Sequence, residues 1–191
     1  MTDNKTPNLL TEEIEKQPVA KEQSFYHLIE KLNLKKHPEG GYYSEIYRDQ
    51  AIIKKDNLPN EFSGDRNYST AIYYLLNGNN FSVFHRIKSD EGWHYYIGNT
   101  SLKIYEIRND GELIIHKLGS DIDRGETLFA VVEKGSWFAV ELDQQNEDNF
   151  TLVGCTAAPG FDKQDFELAN SDRLAQQFPQ HLAIIRKLAR T

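Results

Sequence analysis

The chain has 191 residues, 39% of them hydrophobic and 27% charged, and its 22 Lys and Arg against 29 Asp and Glu leave a formal net charge of −7. One cysteine, Cys155, excludes a disulfide framework and a cysteine-based zinc site, and the acidic balance excludes the basic surface of a general nucleic-acid binder. The longest uninterrupted apolar run, Ala71 to Leu76, falls far short of the roughly 20 residues of a membrane span, so neither nucleic acid nor membrane is expected as a partner.

Residues 1–21 are polar and lack apolar periodicity, so they read as a flexible tail ahead of a single domain over residues 22–191. Met1 to Gln17 has neither the basic nor the apolar region of a secretory signal, which makes a cytoplasmic location the expectation. Phe25, Leu28, Ile29 and Leu32 then follow helical spacing, and this helix should end before His37-Pro38, because a residue preceding proline disfavours helical backbone. Pro38-Glu39-Gly40-Gly41 reads as a turn.

Beyond it the apolar period becomes that of strands, over 42–48, 68–76, 81–87, 92–97, 102–107, 113–117, 127–132, 137–142 and 150–155. Asp110-Gly111 reads as a type I′ hairpin corner, which needs two residues of positive φ. About nine strands with no helices between them exclude βαβ units and predict an all-β fold, a closed antiparallel barrel or a jelly roll. Short helices should flank it. At the C-terminus, Ser171 or Asp172 is expected to cap a helix carrying Leu174 and Phe178, and Pro179 to open another with Leu182, Ile185 and Leu188 on one face.

The segment from Phe84 to Gly98 carries the densest chemistry. Strand alternation puts His85 and Ile87 on one face and Glu91, Trp93 and Tyr95 on another, so an imidazole and a carboxylate would enter a pocket beside an aromatic wall. Tyr43, Glu45 and Tyr47 alternate on an earlier strand and would add phenols and a carboxylate. Arg48 and Arg86 could grip an anionic group, Trp93 and Trp137 could stack on a sugar or base, and each also fits a solvated or packed surface. His94 points the opposite way from Glu91 and reads as packing between sheets or subunits, and Cys155 as a small buried hydrophobe.

These residues resemble the first motif of the cupin superfamily, with His85 at its first histidine, Glu91 at its glutamate and Gly98 at its closing glycine. A closer resemblance, over roughly residues 25–188, is to the cupin family described as predicted sugar epimerases. It rests on His37-Pro38-Glu39-Gly40-Gly41-Tyr42-Tyr43, Glu45-x-Tyr47-Arg48, Ser89-Asp90-Glu91-x-Trp93-His94 and Val153-Gly154-Cys155-Thr156-x-Ala158-Pro159-Gly160-Phe161. It implies a cupin jelly roll and an epimerase or isomerase. The full cupin set of three histidines and a glutamate would hold a divalent metal, but Ile87 and Phe138 replace two of those histidines. The expectation is therefore no bound metal or other cofactor, with a weakly held divalent ion at His85 and Glu91 as the surviving metal form.

The leading reading is a metal-independent enzyme that binds a small polar metabolite, a carbohydrate or nucleotide-sugar, and epimerises or isomerises it by proton transfer. His85 would be the base, Tyr47 or Tyr43 the acid, and Glu91 the group orienting His85. Glu45, Arg48, Arg86, Trp93 and Trp137 would bind the ligand. A non-catalytic small-molecule-binding cupin and a metal-dependent cupin enzyme are the alternatives. The tyrosines of 42–47 and 73–74 exceed what one barrel interior can hold, so a homodimer is expected.

Overall fold

Strands that alternate polar and apolar residues bury one face only when a second layer covers it. In the computed structural model, which describes residues 25–189, that layer is a second sheet, and the tail expected over residues 1–21 lies outside the described residues. α1 (Phe25–Lys31) leads into β1 (Lys35–Lys36) and β2 (Tyr42–Arg48), and a short excursion carries β3 (Ile52–Ile53) and β4 (Arg66–Asn67). The central strands are β5 (Thr70–Asn77), β6 (Phe81–Arg86), β7 (Asp90–Gly98), β8 (Leu102–Ile107) and β9 (Leu113–Leu118). They continue as β10 (Phe129–Val132), β11 (Trp137–Leu142), β12 (Phe150–Ala158) and β13 (Glu167–Leu168), followed by α2 (Ser171–Gln177) and α3 (Leu182–Leu188).

One sheet has six strands in the order β1-β2-β5-β12-β7-β10, and the other has five in the order β13-β6-β11-β8-β9. All their pairings are antiparallel. Between the two expected architectures the separately bonded sheets give the jelly roll. Tyr74, Leu76, Trp93, Ile104, Phe138, Val140 and Val153 fill the space between the sheets. Adjacent residues of a strand face opposite ways, so β11 sends Phe138 and Val140 inward while Trp137 and Ala139 face α2 and α3 across Leu174, Phe178, Ile185 and Leu188. α1 covers the outer side of the six-stranded sheet at Leu75, Phe150 and Leu152.

Local chemistry differs from the sequence expectation at two ends. Asp110 keeps negative φ and only Gly111 is left-handed, at φ 88°. The hairpin therefore turns through Arg108–Gly111, with the Gly111 N–H donating to the Arg108 carbonyl at 2.9 Å, instead of through a type I′ corner. The cap of α2 is Asn170, whose Oδ1 accepts from the Arg173 N–H at 3.0 Å, one residue before the expected Ser171.

One buried ion pair ties the β3–β4 excursion to the segment leading to β13. Arg66 Nε and Nη2 each donate to Asp165 at 2.6 Å, with both side chains only 2% exposed. Phe62 lies beneath the guanidinium at 5.5 Å, and Lys88 approaches Asp165 at 3.4 Å. The pairing fixes residues 161–166, several of which wall the cavity described below. Removing one partner leaves the other charge buried, so Arg66→Met should cost about 3–5 kcal/mol of stability in urea unfolding, where a loss below about 1 kcal/mol would mean that water already reaches the pair.

Candidate functional site

Residues of both sheets line a cavity of about 380 Å³. Its least expected member is Glu39. The Pro38-Glu39-Gly40-Gly41 turn follows β1 and lies against β5 and β6: the Val83 N–H donates to the Glu39 carbonyl at 3.2 Å, and the Tyr74 hydroxyl donates to the Gly40 carbonyl at 3.0 Å. Only glycine fits there. Gly40 and Gly41 have φ of 122° and 72°, and a Cβ on Gly40 would run into the Phe81 carbonyl oxygen. With the backbone pressed this close, the Glu39 side chain enters the cavity and is buried.

β6 prepares the partner. Against β11 its register moves from Phe138↔His85 to Val140↔Ser82, an extra residue in β6, so Ser82 and His85 both face inward although they are three apart. His85 Nδ1 lies 2.7 Å from the Val83 carbonyl and donates to it, since a carbonyl can only accept. Its Nε2 then meets Glu39 Oε2 at 3.1 Å, and the Ser82 hydroxyl donates to the same oxygen at 3.2 Å. Burial lowers the His85 imidazole to about 3, and lowers His37, whose Nδ1 is 3.7 Å from Glu39, to about 4. A neutral ring with its proton on Nδ1 offers Nε2 as an acceptor, so the close approach to Glu39 requires one proton shared between Oε2 and Nε2.

The opposite wall belongs to the six-stranded sheet. β7 supplies Glu91 and Trp93, and β2 supplies Tyr43, Glu45 and Arg48. Burial raises the Glu91 carboxyl to about 7, because no cation among the described residues pairs with it. The Trp93 indole N–H opposes that rise from outside hydrogen-bond geometry and itself has no hydrogen-bond partner among the described residues. Arg48 Nε and Nη2 hold the two carboxylate oxygens of Glu45 at 2.9 and 2.7 Å. Tyr43 sets its ring edge-on to His37 at 4.7 Å.

The structure therefore gathers His85, Glu91, Tyr43, Glu45, Arg48 and Trp93 around one cavity. Three other expected site residues lie elsewhere. Between β2 and β5 the register moves from Glu45↔Ile72 to Tyr47↔Ala71, and this bulge swings Tyr47 out to bond Asp49 at 3.1 Å while Arg48 takes the inward place. Trp137 neighbours the inward-facing Phe138 and so faces the helices, where Arg86 stacks on its ring at 4.5 Å. Arg86 is turned out by the same alternation beside His85 and binds Glu167 at 2.6 Å. Glu91 does not orient His85. That place belongs to Glu39, whose sequence signal was its position in the turn before two glycines, where a short loop can thrust one side chain into a cavity. His94 stays on the outer face, near Thr156 at 3.1 Å and Phe129 at 4.8 Å, and burial pushes the Cys155 thiol up.

The donors at hand are poor for the metal that a cupin implies. Ile87 turns hydrocarbon to the cavity, the Phe138 ring covers the His85 imidazole at 4.0 Å, and the His85 Nε2 lone pair is engaged by Glu39. Among the described residues no group of three or more His, Cys, Asp or Glu side chains is placed to hold a metal ion.

Residues 26–169 match the family described as "Cupin superfamily (DUF985)". An uncharacterized protein of Saccharomyces cerevisiae is 32% identical over 149 residues, covering 74% of this chain and 73% of that protein. Among solved structures, a hypothetical protein from Leishmania major is similar with TM-score 0.80 and 31% identity, over 88% of this chain and 99% of that one. A protein of Shewanella oneidensis is similar with TM-score 0.76 and 37% identity over the same shares, 88% and 99%.

The raised Glu91 carboxyl has a signature in stability. Folded chains keep a proton there up to about pH 7, whereas unfolded chains lose it near the ordinary value of 4.5, so this group's stabilisation is full below about 4.5 and gone above about 7. Glu91→Gln cannot ionise and should gain on the parent protein as pH rises through that interval, by up to about 3 kcal/mol. His37 and His85 are common to both proteins and cancel. Urea midpoints measured from pH 4.5 to 8 read the difference, and a constant offset would mean that Glu91 is bathed in water.

Proposed function

The chain belongs to the DUF985 family of the cupin superfamily, and from the groups that line its cavity we propose that it binds a small carbohydrate between its sheets and moves a carbon-bound proton on it without a metal, as an epimerase or isomerase. The observation that carries this reading is the pair of proton-carrying centres lining one cavity, His85 of the five-stranded sheet with Glu39 of the β1–β2 turn, and Glu91 of the six-stranded sheet. A general base works best when its pKa lies near the working pH, and burial brings the Glu91 carboxyl to about 7.

In this mechanism Glu91 as carboxylate takes the hydrogen next to a ligand carbonyl as a proton. The electron pair left on carbon moves to the carbonyl oxygen, and the unpartnered Trp93 indole N–H stabilises the oxyanion. The shared proton of Glu39 and His85 then goes to carbon from the other side, inverting the centre. For an isomerisation it goes instead to the carbonyl oxygen, the neighbouring hydroxyl returns its proton to the Glu39–His85 pair, and the proton held on Glu91 passes to the former carbonyl carbon. The reverse reaction exchanges the two roles. Val83, by holding His85 Nδ1, keeps Nε2 directed at Glu39 so that the pair can pick up its proton again. No step passes through a metal, because Ile87 and Phe138 offer hydrocarbon where donors are needed.

Incubating free aldoses, ketoses and amino sugars with the protein in heavy water tests the reading. Deuterium should enter the carbon beside the carbonyl even when net conversion is small. Glu91→Gln and His85→Ala should each slow exchange on the order of 10²–10⁴-fold, and Glu39→Gln should slow it too by leaving the shared proton on an amide that cannot pass it on. A sugar that binds in the cavity and shows no exchange would sink the enzyme and leave a binding module.

A further inference from the structure

The cavity's charges are unequal in their freedom. Glu39, Glu45, Glu91 and Asp162 face it against Arg48 and Lys163. Arg48 looks suited to a phosphate, yet four of its N–H groups are already spent: two on the Glu45 carboxylate at 2.9 and 2.7 Å, one on Asn67 Oδ1 at 2.9 Å and one on the Phe161 carbonyl at 3.1 Å. A guanidinium has five, so it has no fork left for a phosphoryl group. Arg86, the other candidate, lies behind the sheet on Trp137 and Glu167. Lys163 is exposed, and water screens it.

The carboxylates are arranged differently. Glu45 is neutralised by Arg48 and Glu39 by the proton it shares with His85, while Glu91 lines the cavity with no cation beside it among the described residues. Two residues along the same face of β7, Trp93 brings an indole N–H that is 3% exposed at the residue and has no acceptor among the described residues. A buried donor without a partner is costly, and a ligand oxygen would satisfy it. The surrounding walls are the rings of Tyr43, Tyr74 and Trp93, whose faces favour a cation. A group that places an ammonium at Glu91 and an oxygen at Trp93 therefore answers both demands.

We propose that the cavity selects a free amino sugar, an ammonium and an oxygen on neighbouring carbons, and rejects its phosphorylated and nucleotide-linked forms. This rests on the reading of the cavity as a carbohydrate site. The ammonium donates to Glu91, the adjacent hydroxyl or carbonyl oxygen accepts from Trp93, and a phosphate would meet a carboxylate-rich wall whose arginine is occupied.

Calorimetry with glucosamine, galactosamine and mannosamine, each beside its N-acetyl and 6-phosphate derivative, tests this without requiring turnover. At least one amine should bind roughly tenfold or more tightly than both of its derivatives, the order of effect of a hydrogen bond to a charged group. Glu91→Gln should abolish the preference for the amine over its N-acetyl form. Glu45→Gln, at an exposed position where the fold is not at stake, should free Arg48 and strengthen 6-phosphate binding severalfold. Equal or tighter binding of the N-acetyl or 6-phosphate forms, or no binding of any of the three amines, would overturn the proposal. Selective amine binding without deuterium exchange would uphold the ligand class and overturn only the proton-transfer reading.

Discussion

The cavity is organised by the contact between Glu39 and His85. A carboxyl group placed 3.1 Å from an imidazole nitrogen, both buried, is stable only if a proton lies between them. Every neighbouring feature serves that demand. Gly40 and Gly41 let the turn come close enough to insert Glu39, the bulge in β6 brings Ser82 and His85 to the same side, and the Val83 carbonyl takes the other imidazole proton. The turn is in turn held by the Tyr74 hydroxyl, which burial keeps protonated and donating.

Three acidic groups carried into the molecule show why only some become chemically useful. Glu106 is fully buried, and although burial pushes its carboxyl up, His116 at 2.8 Å, the Glu133 N–H at 3.0 Å and Ser136 hold it below the usual carboxylate range. Glu141 accepts from Tyr105 at 2.8 Å and from Lys187 at 2.7 Å, fastening α3 to the sheet. Both are satisfied and structural. Glu91 shares the low-polarity setting but, among the described residues, has no cation and only the Trp93 indole N–H to oppose the rise, so its carboxyl is left high. In the cavity the Trp93 indole N–H is buried and unsatisfied among the described residues, and it is the group a ligand would complete.

The bulges decide more of the site than any motif does. A strand without irregularity aims every second residue at one face, and on that rule Tyr43, Glu45 and Tyr47 belong together. One inserted residue in β2 exchanges Tyr47 for Arg48, and one in β6 adds Ser82 beside His85. In both places a polar side chain gains a partner along the cavity wall: Arg48 with Glu45 at its exposed rim, and Ser82 with the buried Glu39.

By itself the sequence determined an antiparallel all-β fold and the positions of its main strands, because alternating apolar and β-branched segments separated by turn residues leave few other ways to bury one face. It also determined that Glu91 and Trp93 share a face. The short pairings β1, β3, β4 and β13 carry too few residues to show a period, so they were illegible. Only the tertiary structure decided that Glu39, and not Glu91, meets His85, and that Tyr47 and Arg86 lie outside. The reason is physical: strand period is a local property written in consecutive residues, whereas a bulge is fixed by its partner strand and a turn's reach by the sheet it lies against.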